Sequence, residues 1–133
     1  MNYEFNNIYK DKTVLVTGHT GFKGSWLTIW LEKLGAKVIG FSLPDLPTNP
    51  TNFELSHLNE KITDIRGDIR NLDDLLKVMR EYKPEIVFHL AGQPIVFKAY
   101  DDPKSTFDTN AGGTVNLLEA VRQSESVKAV VCI

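Results

Sequence analysis

Cysteine, histidine and charge of one sign are all scarce in this sequence. One cysteine among 133 residues forms no internal disulfide and has no second thiol with which to hold a metal ion. The three histidines have no ligand-like spacing, which argues against a metal site. The 15 basic and 17 acidic side chains give a net charge of −2 without runs of like charge, so we expect no nucleic-acid partner. We interpret Cys132, which lies in an apolar run, as a buried core thiol.

Long apolar runs are missing as well. No stretch approaches the roughly 18 apolar residues of a membrane span, and the first residues have no basic start followed by an apolar core. We therefore expect no membrane partner and a cytoplasmic location. The composition, 42% apolar and 24% charged, is typical of one soluble domain with a real core.

Apolar runs of strand length alternate with amphipathic segments of helix length, as in repeated βαβ units around a parallel sheet. The predicted strands are 13–17, 37–42, 62–65, 85–90 and 127–133, and the predicted helices are 22–34, 72–83 and 104–123. Three prolines make 43–52 a loop. We predict an α/β fold of the Rossmann type, a doubly wound parallel sheet with helices on both faces. The last apolar strand would be an unprotected edge, so we expect the sheet to be incomplete at its C-terminal side.

Periodicity also assigns side chains to the interior. Trp26 and Trp30 are at helical spacing and are predicted to be packing residues. His89, in the fourth strand, is predicted to be a core histidine whose hydrogen bonds are satisfied. The last helix is expected to turn four side chains inward: Phe107, Val115, Leu118 and Val121.

Three glycines at a spacing of three stand between the first strand and the first helix. Gly18 permits the tight turn, Gly21 allows the backbone to approach a pyrophosphate, and Gly24 lets the helix lie close to the strand. The helix N-terminus that follows offers unpaired N–H groups and the positive end of its dipole. This pattern predicts a dinucleotide-binding loop. A Walker-type loop is excluded, because Lys23-Gly24-Ser25 has the required residues in the wrong order.

The position that commonly holds the adenosine ribose carries no acid. Ser42 ends the second strand there, and Asp45 follows in the loop. Both are candidates for the ribose, and both could equally be ordinary loop residues. No basic residue follows directly, which favours NAD over NADP.

Two further strand ends lie at the edge where α/β sheets bind ligands. Asp68 follows the third strand and is a candidate for the adenine amino group, with a turn residue as the alternative. The small residues of Ala91-Gly92-Gln93 end the fourth strand and would let a cofactor approach.

These positions together resemble the extended short-chain dehydrogenase/reductase family of nucleotide-sugar enzymes, and within it the 4,6-dehydratases. The motifs that carry the resemblance are Thr17-Gly18-x-x-Gly21-x-x-Gly24, Gly67-Asp68-Ile69-Arg70, His89-Leu90-Ala91-Gly92, Gln93-Pro94 and Thr109-Asn110 with Gly113-Thr114. The resemblance covers nearly the whole chain after Lys12. Its most specific part is the glycine loop with Phe22-Lys23-Gly24-Ser25-Trp26.

The resemblance implies that residues 1–133 are the N-terminal part of a single NAD-binding Rossmann domain. In such enzymes the C4 hydroxyl of the sugar is oxidised by hydride transfer to NAD, water leaves from C5 and C6, and the hydride returns to C6. The implied substrate is a nucleotide sugar, and products of this class are precursors of sugars in bacterial surface polysaccharide. A homodimer is expected for the full-length enzyme, through helices that include the one at 104–123.

Site residues follow from the same resemblance. Asn110 matches a helix asparagine that supports the active site, while Ala91-Gly92, 97–99 and 110–113 depart from the usual pattern and leave the substrate open. The implied cofactor-binding residues are Gly18, Thr20, Gly21, Phe22, Lys23, Gly24, Ser42, Asp68, Ile69, Ala91, Gly92, Gln93 and Asn110.

No catalytic residue is expected within this chain. The family's catalytic Ser/Thr and its Tyr-x-x-x-Lys pair lie beyond the strand that ends at Ile133. Tyr100 and Lys104 match that spacing formally, but Pro103 breaks the helical turn that would bring them together. Two alternatives stay open: another nucleotide-sugar epimerase or dehydratase, and a dinucleotide-binding module without chemistry.

Overall fold

The computed structural model describes residues 4–133 and contains one five-stranded sheet whose strands are all parallel. The strands follow the order β3-β2-β1-β4-β5. Their bounds are β1 Thr13–Thr17, β2 Lys37–Ser42, β3 Thr63–Arg66, β4 Ile86–His89 and β5 Ala129–Cys132. The chain moves outward from β1 to β3 and then returns to the other side of β1. The topological switch point, where ligands bind in such sheets, therefore lies between β1 and β4.

Within residues 4–133, six α-helices connect and flank the strands. They are α1 Phe22–Lys33, α2 Asn52–Leu55, α3 Leu72–Tyr82, α4 Val96–Asp101, α5 Pro103–Phe107 and α6 Gly113–Arg122. A π-helical turn, Asp108–Gly112, joins α5 to α6, and short 3₁₀ turns occupy Glu4–Asn7 and Leu58–Glu60. Among residues 4–133, no helix is long and apolar enough to cross a membrane.

Among the described residues, two apolar clusters cover the two faces of the sheet. On one face Val14 and Val16 of β1 pack with Leu31 of α1. On the other face Leu15 packs with the apolar sides of α3 and α6, including Leu117. Alternation along β1 explains this division, since successive side chains of a strand point to opposite faces. The predicted doubly wound α/β fold with helices on both faces is confirmed.

Most predicted elements are found within one or two residues of their expected bounds. Strands β1 and β2 begin and end at the predicted residues. The helix predicted over 104–123 is instead divided by the π-helical turn. A close contact accompanies the division, because a Cβ on Gly113 would lie 2.5 Å from Ile69 Cδ1. Helices α2 and α4 were not predicted, because each is too short to show a period.

Several predicted packing residues are in fact exposed. Trp26 and Trp30 are 54% and 49% exposed, because α1 turns its small residues and Leu31 toward the sheet. The segment from α5 to α6 has two apolar faces, and the one that packs carries Leu117 and Ala120. The other face is exposed and includes Phe107, Val115 and Leu118, whereas Val121 is partly buried as expected.

The prediction that Cys132 is a buried thiol is also wrong. Cys132 is exposed, and it lies in β5, which pairs only with β4 within the described residues. Neither apolar cluster includes its side chain. An apolar run is therefore not proof of burial when the strand is at a sheet edge.

Candidate functional site

The glycine loop leaves β1 through a turn that only glycine accommodates without strain. Gly18 has a φ of +77°, and its N–H donates to the carbonyl oxygen of Phe41 at 2.8 Å. A Cβ at this position would lie 2.7 Å from the backbone nitrogen of Ala91. The loop is thus fixed between β2 and the segment that follows β4.

The third glycine brings α1 against the same turn. A Cβ on Gly24 would lie 2.0 Å from the carbonyl oxygen of Gly18, far inside van der Waals contact. Gly21 is the N-cap of α1, and its N–H donates to that oxygen at 3.0 Å. The close approach of turn and helix therefore depends on the absence of side chains at these positions.

The N-terminus of α1 has the properties of an anion-binding site. The first N–H groups of a helix, here those of Phe22, Lys23 and Gly24, have no intrahelical acceptor. Gly21 provides no side-chain cap, and α1 has no acidic residue in its first turn. Since the helix dipole also places partial positive charge here, a phosphate would meet donors without a competing carboxylate. Phe22 and Lys23 are exposed, so their side chains do not fill the space above the turn.

A buried histidine lies beneath the loop. The His19 ring is fully buried, and burial lowers its pKa below the ordinary value, so the ring is neutral. Its Nε2–H donates to Asp64 Oδ1 at 2.7 Å, and its Nδ1 accepts from the Ser42 hydroxyl at 3.0 Å. The Ser42 oxygen in turn accepts from the Thr20 N–H at 3.4 Å. This chain of hydrogen bonds ties the glycine loop to β2 and β3.

No local sequence pattern indicates this histidine's role directly. The available signal was Gly40 in the middle of a strand, since such a glycine marks the close approach of another group. A Cβ on Gly40 would lie 2.4 Å from the His19 ring. Phe53 packs edge-on against the ring, with the centroids 5.2 Å apart.

The two ribose candidates differ in where they lie. Ser42 is buried at the end of β2, and its hydroxyl is already bonded to His19 and Thr20. Asp45 is exposed in the loop after β2. No basic residue follows Ser42 directly in the sequence, but the sheet pairs Ser42 with Arg66 of β3.

The segment after β3 places the Asp68 carboxylate and the Ile69 backbone at the ligand-binding edge of the sheet. The Asp68 carboxylate pairs with Arg70 at 2.6 Å, and these hydrogen bonds lower the pKa of Asp68. Ile69 turns its side chain into the core, so only its backbone is available at the edge. Asn116 of α6 donates through Nδ2 to the carbonyl oxygens of Ile69 and Arg70, at 3.0 and 2.9 Å, and so anchors the segment.

His89 organises the end of β4, and its hydrogen bonds define its tautomer. The Thr114 hydroxyl donates to the Asn110 carbonyl oxygen at 2.7 Å, so Thr114 Oγ1 accepts from His89 Nε2–H at 3.1 Å. His89 Nδ1 therefore accepts from the Thr17 hydroxyl at 2.7 Å, and Thr17 Oγ1 accepts from the Ala91 N–H at 3.2 Å. Burial lowers the pKa of His89, which keeps the ring neutral. The prediction of a satisfied core histidine is confirmed.

Asn110 holds the loop that follows β4. Its Oδ1 accepts from the Gln93 N–H at 2.7 Å, and its Nδ2 donates to the Gln93 carbonyl oxygen at 3.1 Å. The Gln93 side chain bonds Ile95 and Thr106. Asn110 lies in the π-helical turn, a feature that is frequent at functional sites. Gly92 fits against it, because a Cβ there would lie 3.2 Å from Asn110 Oδ1.

The structure thus brings the predicted site residues to one edge of the sheet. The formal Tyr100/Lys104 pair does not join them: Tyr100 is in α4, Lys104 is in α5, and the Lys104 ammonium pairs with Asp108. Within residues 4–133, no cluster of His, Cys, Asp and Glu could hold a metal ion.

Comparison with known proteins relates this geometry to nucleotide-sugar enzymes. The family model described as GDP-mannose 4,6-dehydratase matches residues 15–132. CDP-glucose 4,6-dehydratase of Salmonella typhimurium is 51% identical over 127 residues, which are 96% of this chain and 35% of that protein.

Two solved structures of epimerases share the fold. An epimerase from Methanothermobacter thermautotrophicus superposes with a TM-score of 0.79 at 31% identity, over 95% of this chain and 36% of that one. The UDP-glucose 4-epimerase of Thermus thermophilus in complex with NAD superposes with a TM-score of 0.76 at 31% identity, over 88% of this chain and 36% of that one. The chain therefore spans about a third of the length of these relatives. With 118 consecutive positions inside the family model, it belongs to the GDP-mannose 4,6-dehydratase family.

Proposed function

We propose that this chain is the NAD-binding part of a nucleotide-sugar 4,6-dehydratase that converts CDP-glucose to CDP-4-keto-6-deoxyglucose. The observation that carries the proposal is the mutual fit of Gly18 and Gly24 at the N-terminus of α1, beside the switch point. The 51% identity to the Salmonella CDP-glucose 4,6-dehydratase supports the choice of substrate.

The backbone around the glycine loop suits a pyrophosphate. A Cβ on Gly24 would push the helix away from the turn, and a Cβ on Gly18 would strike the backbone of Leu90 and Ala91. The N–H groups of Phe22, Lys23 and Gly24 supply donors, and Gly21 keeps the approach to them free of a side chain. The Thr20 N–H is directed to Ser42, so Thr20 shapes the loop and leaves phosphate binding to the helix.

The adenosine half would lie over the ends of β2 and β3. The Asp68 carboxylate is ionised and partly exposed, so it is able to accept from the adenine amino group while Arg70 holds its orientation. The backbone of Ile69 lies at the same edge, and the buried Ser42 would lie beneath the ribose.

The nicotinamide half would lie over the end of β4. Ala91 and Gly92 have little or no side chain, so they would let the cofactor approach the backbone. Asn110 fixes the backbone of Gln93 through two hydrogen bonds. When bound, NAD supplies the hydride acceptor for oxidation at C4 of the sugar and the hydride donor for reduction at C6. The residues of this chain contribute orientation to that chemistry. The side chains that move protons are expected in the rest of the enzyme.

A nucleotide-sugar 4-epimerase is the second candidate. The epimerase from Methanothermobacter thermautotrophicus supports it, because it shares the fold at 31% identity. Both candidates need NAD at the same edge, so cofactor binding does not separate them. Product analysis does: a dehydratase gives a 4-keto-6-deoxy sugar, whereas an epimerase gives an isomer of the substrate.

The exposed apolar face of the α4–α6 region supports a homodimer of the full-length enzyme. The exposed apolar side chains of this region include Phe97 and Tyr100 of α4, Phe107 of α5, and Val115 and Leu118 of α6. Burial of such a face on a symmetry-related copy would remove apolar area from water. A cytoplasmic location and a role in polysaccharide biosynthesis complete the proposal.

Three measurements test this function. Titration calorimetry of the 133-residue chain with NAD is expected to show saturable binding, and a folded sample that gives no heat at several temperatures would contradict the proposal. The chain alone is expected to give no turnover of CDP-glucose. A chimera that carries this chain in place of the matching segment of the Salmonella enzyme is expected to produce the 4-keto sugar, detected by its alkaline absorbance. An inactive chimera that still binds NAD would contradict the dehydratase assignment.

A further inference from the structure

The end of β2 lacks the carboxylate that commonly binds the adenosine ribose in Rossmann folds. Ser42 occupies the position, and its hydroxyl is engaged with His19 and Thr20. An acid there favours NAD through the ribose 2′-hydroxyl, whereas a nearby arginine accommodates the 2′-phosphate of NADP. Other charged groups at this edge must therefore decide between the two dinucleotides.

Arg66 is such a group, because the sheet brings it beside Ser42. The two residues are register partners across β2 and β3. The guanidinium donates through Nη1 to the carbonyl oxygen of Leu43, the residue directly after β2, at 3.1 Å. The Arg66 side chain is 28% exposed, so solvent and a ligand reach it. A cation is thus present at the ribose end of the site, although it comes from a different strand.

Asp64 controls that cation. Its Oδ2 accepts from Arg66 Nη2 at 2.9 Å, and its Oδ1 accepts from His19 Nε2–H at 2.7 Å. Phe53 supports the guanidinium from one side, with Cζ 5.1 Å from the ring centroid. Since His19 is neutral, the single negative charge of Asp64 is available to balance Arg66.

We propose that Asp64 and Arg66 set the cofactor preference of this chain, an inference that rests on the proposed dinucleotide function. Asp64 holds Arg66 on the Leu43 carbonyl and cancels its charge. A 2′-phosphate then meets a neutralised ion pair rather than a free guanidinium. The free-energy cost of removing that phosphate from water is therefore not offset by a new charge-assisted hydrogen bond. The site selects the dinucleotide with a 2′-hydroxyl even though β2 ends in serine.

Asp64→Asn is the direct test, because the amide oxygen still accepts from His19 while the charge is lost. The dissociation constants of NAD and NADP are measured by calorimetry on the wild-type and variant chains. We expect the ratio of the NADP constant to the NAD constant to fall by roughly tenfold, the scale of one charge-assisted hydrogen bond. Asp11→Asn removes the same charge from the exposed turn before β1, at the opposite edge of the sheet, and is the matched control, with a change of less than about twofold.

Arg66→Met gives an independent test in the opposite direction. The Asp64 carboxylate is then uncompensated near the ribose, so the ratio is expected to rise by roughly tenfold. In the double variant D64N/R66M the gain in NADP affinity should disappear. Circular dichroism and thermal unfolding establish whether each variant is folded. If Asp64→Asn does not fold, Arg66→Met still tests the proposal.

The possible results separate the two proposals. If folded wild-type chain binds NAD but Asp64→Asn and Arg66→Met leave the ratio unchanged, the inference is wrong and the proposed function stands. The inference is also wrong if Asp11→Asn shifts the ratio as far as Asp64→Asn, or if the shift persists in the double variant. If the folded wild-type chain binds neither dinucleotide, the proposed function fails and this inference fails with it.

Discussion

Replacing Gly24 with alanine perturbs the contact between the helix N-terminus and the turn before it. The added Cβ would lie 2.0 Å from Gly18 O, 2.8 Å from Gly18 C and 3.0 Å from His19 Cα. All three are backbone atoms, so no side chain can rotate away. A normal contact needs about 3.4 Å or more, and the helix and turn must therefore separate by about 1.4 Å.

Two magnitudes follow from this separation. Overpacking of this kind costs about 1–3 kcal/mol of unfolding free energy, from which the better helix propensity of alanine recovers at most about 1 kcal/mol. The helix N–H groups also move away from the pyrophosphate. The loss of two charge-assisted hydrogen bonds, at about 1.5–3 kcal/mol each, weakens NAD binding by at least about a hundredfold.

Urea unfolding and NAD calorimetry on the same preparations measure both effects. Gly112→Ala is the matched control, since its Cβ would meet nothing closer than Phe107 O at 3.9 Å. That variant is expected to keep wild-type NAD affinity. If Gly24→Ala binds NAD as Gly112→Ala does and is equally stable, the reasoning about the loop is refuted.

Three further perturbations test the hydrogen-bond networks. Thr17→Val leaves a buried nitrogen of His89 without a donor and should lower the unfolding free energy by about 1–3 kcal/mol; unchanged urea midpoint and slope would contradict the network. Asn110→Ala removes both bonds to the Gln93 backbone, so hydrogen exchange of the Gln93 amide should accelerate by roughly tenfold; an unaltered rate would show that the loop is held otherwise. The pKa values of His19 and His89 are lowered in the folded chain by burial, so the unfolded chain binds more protons below its histidine pKa of about 6.5. Stability should therefore be fully present above that pH and decline as the pH falls below it, and a flat profile in urea titrations between pH 7 and pH 5 would refute the neutral assignment.

The fold was largely predictable, because βαβ units leave a strong pattern. The apolar strand Thr13–Thr17 and the glycines after it identify the first unit and the ligand edge directly. The helical period also fixed the extent of α1 to within one residue.

Other features depend on contacts between distant residues, which local pattern does not contain. The hydrogen bond between His19 and Asp64 joins residues 45 positions apart, and Arg66 reaches Ser42 only through strand register. The π-helical turn is coupled to the packing of Ile69 against Gly113. Periodicity also cannot tell which of two apolar faces meets the sheet, as in the segment from α5 to α6, where Leu117 packs and Leu118 does not.

The glycine loop has one wall that the first βαβ unit does not supply. Gly18 is contiguous in sequence with β1 and α1, but the atoms that press on it belong to Leu90 and Ala91, more than 70 positions later. During folding, β1, α1 and β2 can form early from local contacts, while this wall is in place only after β4 has joined β1. The surroundings of the glycine loop are therefore complete only when β4 is paired with β1, and a peptide that ends before β4 would have the motif without the backbone of Leu90 and Ala91 against Gly18.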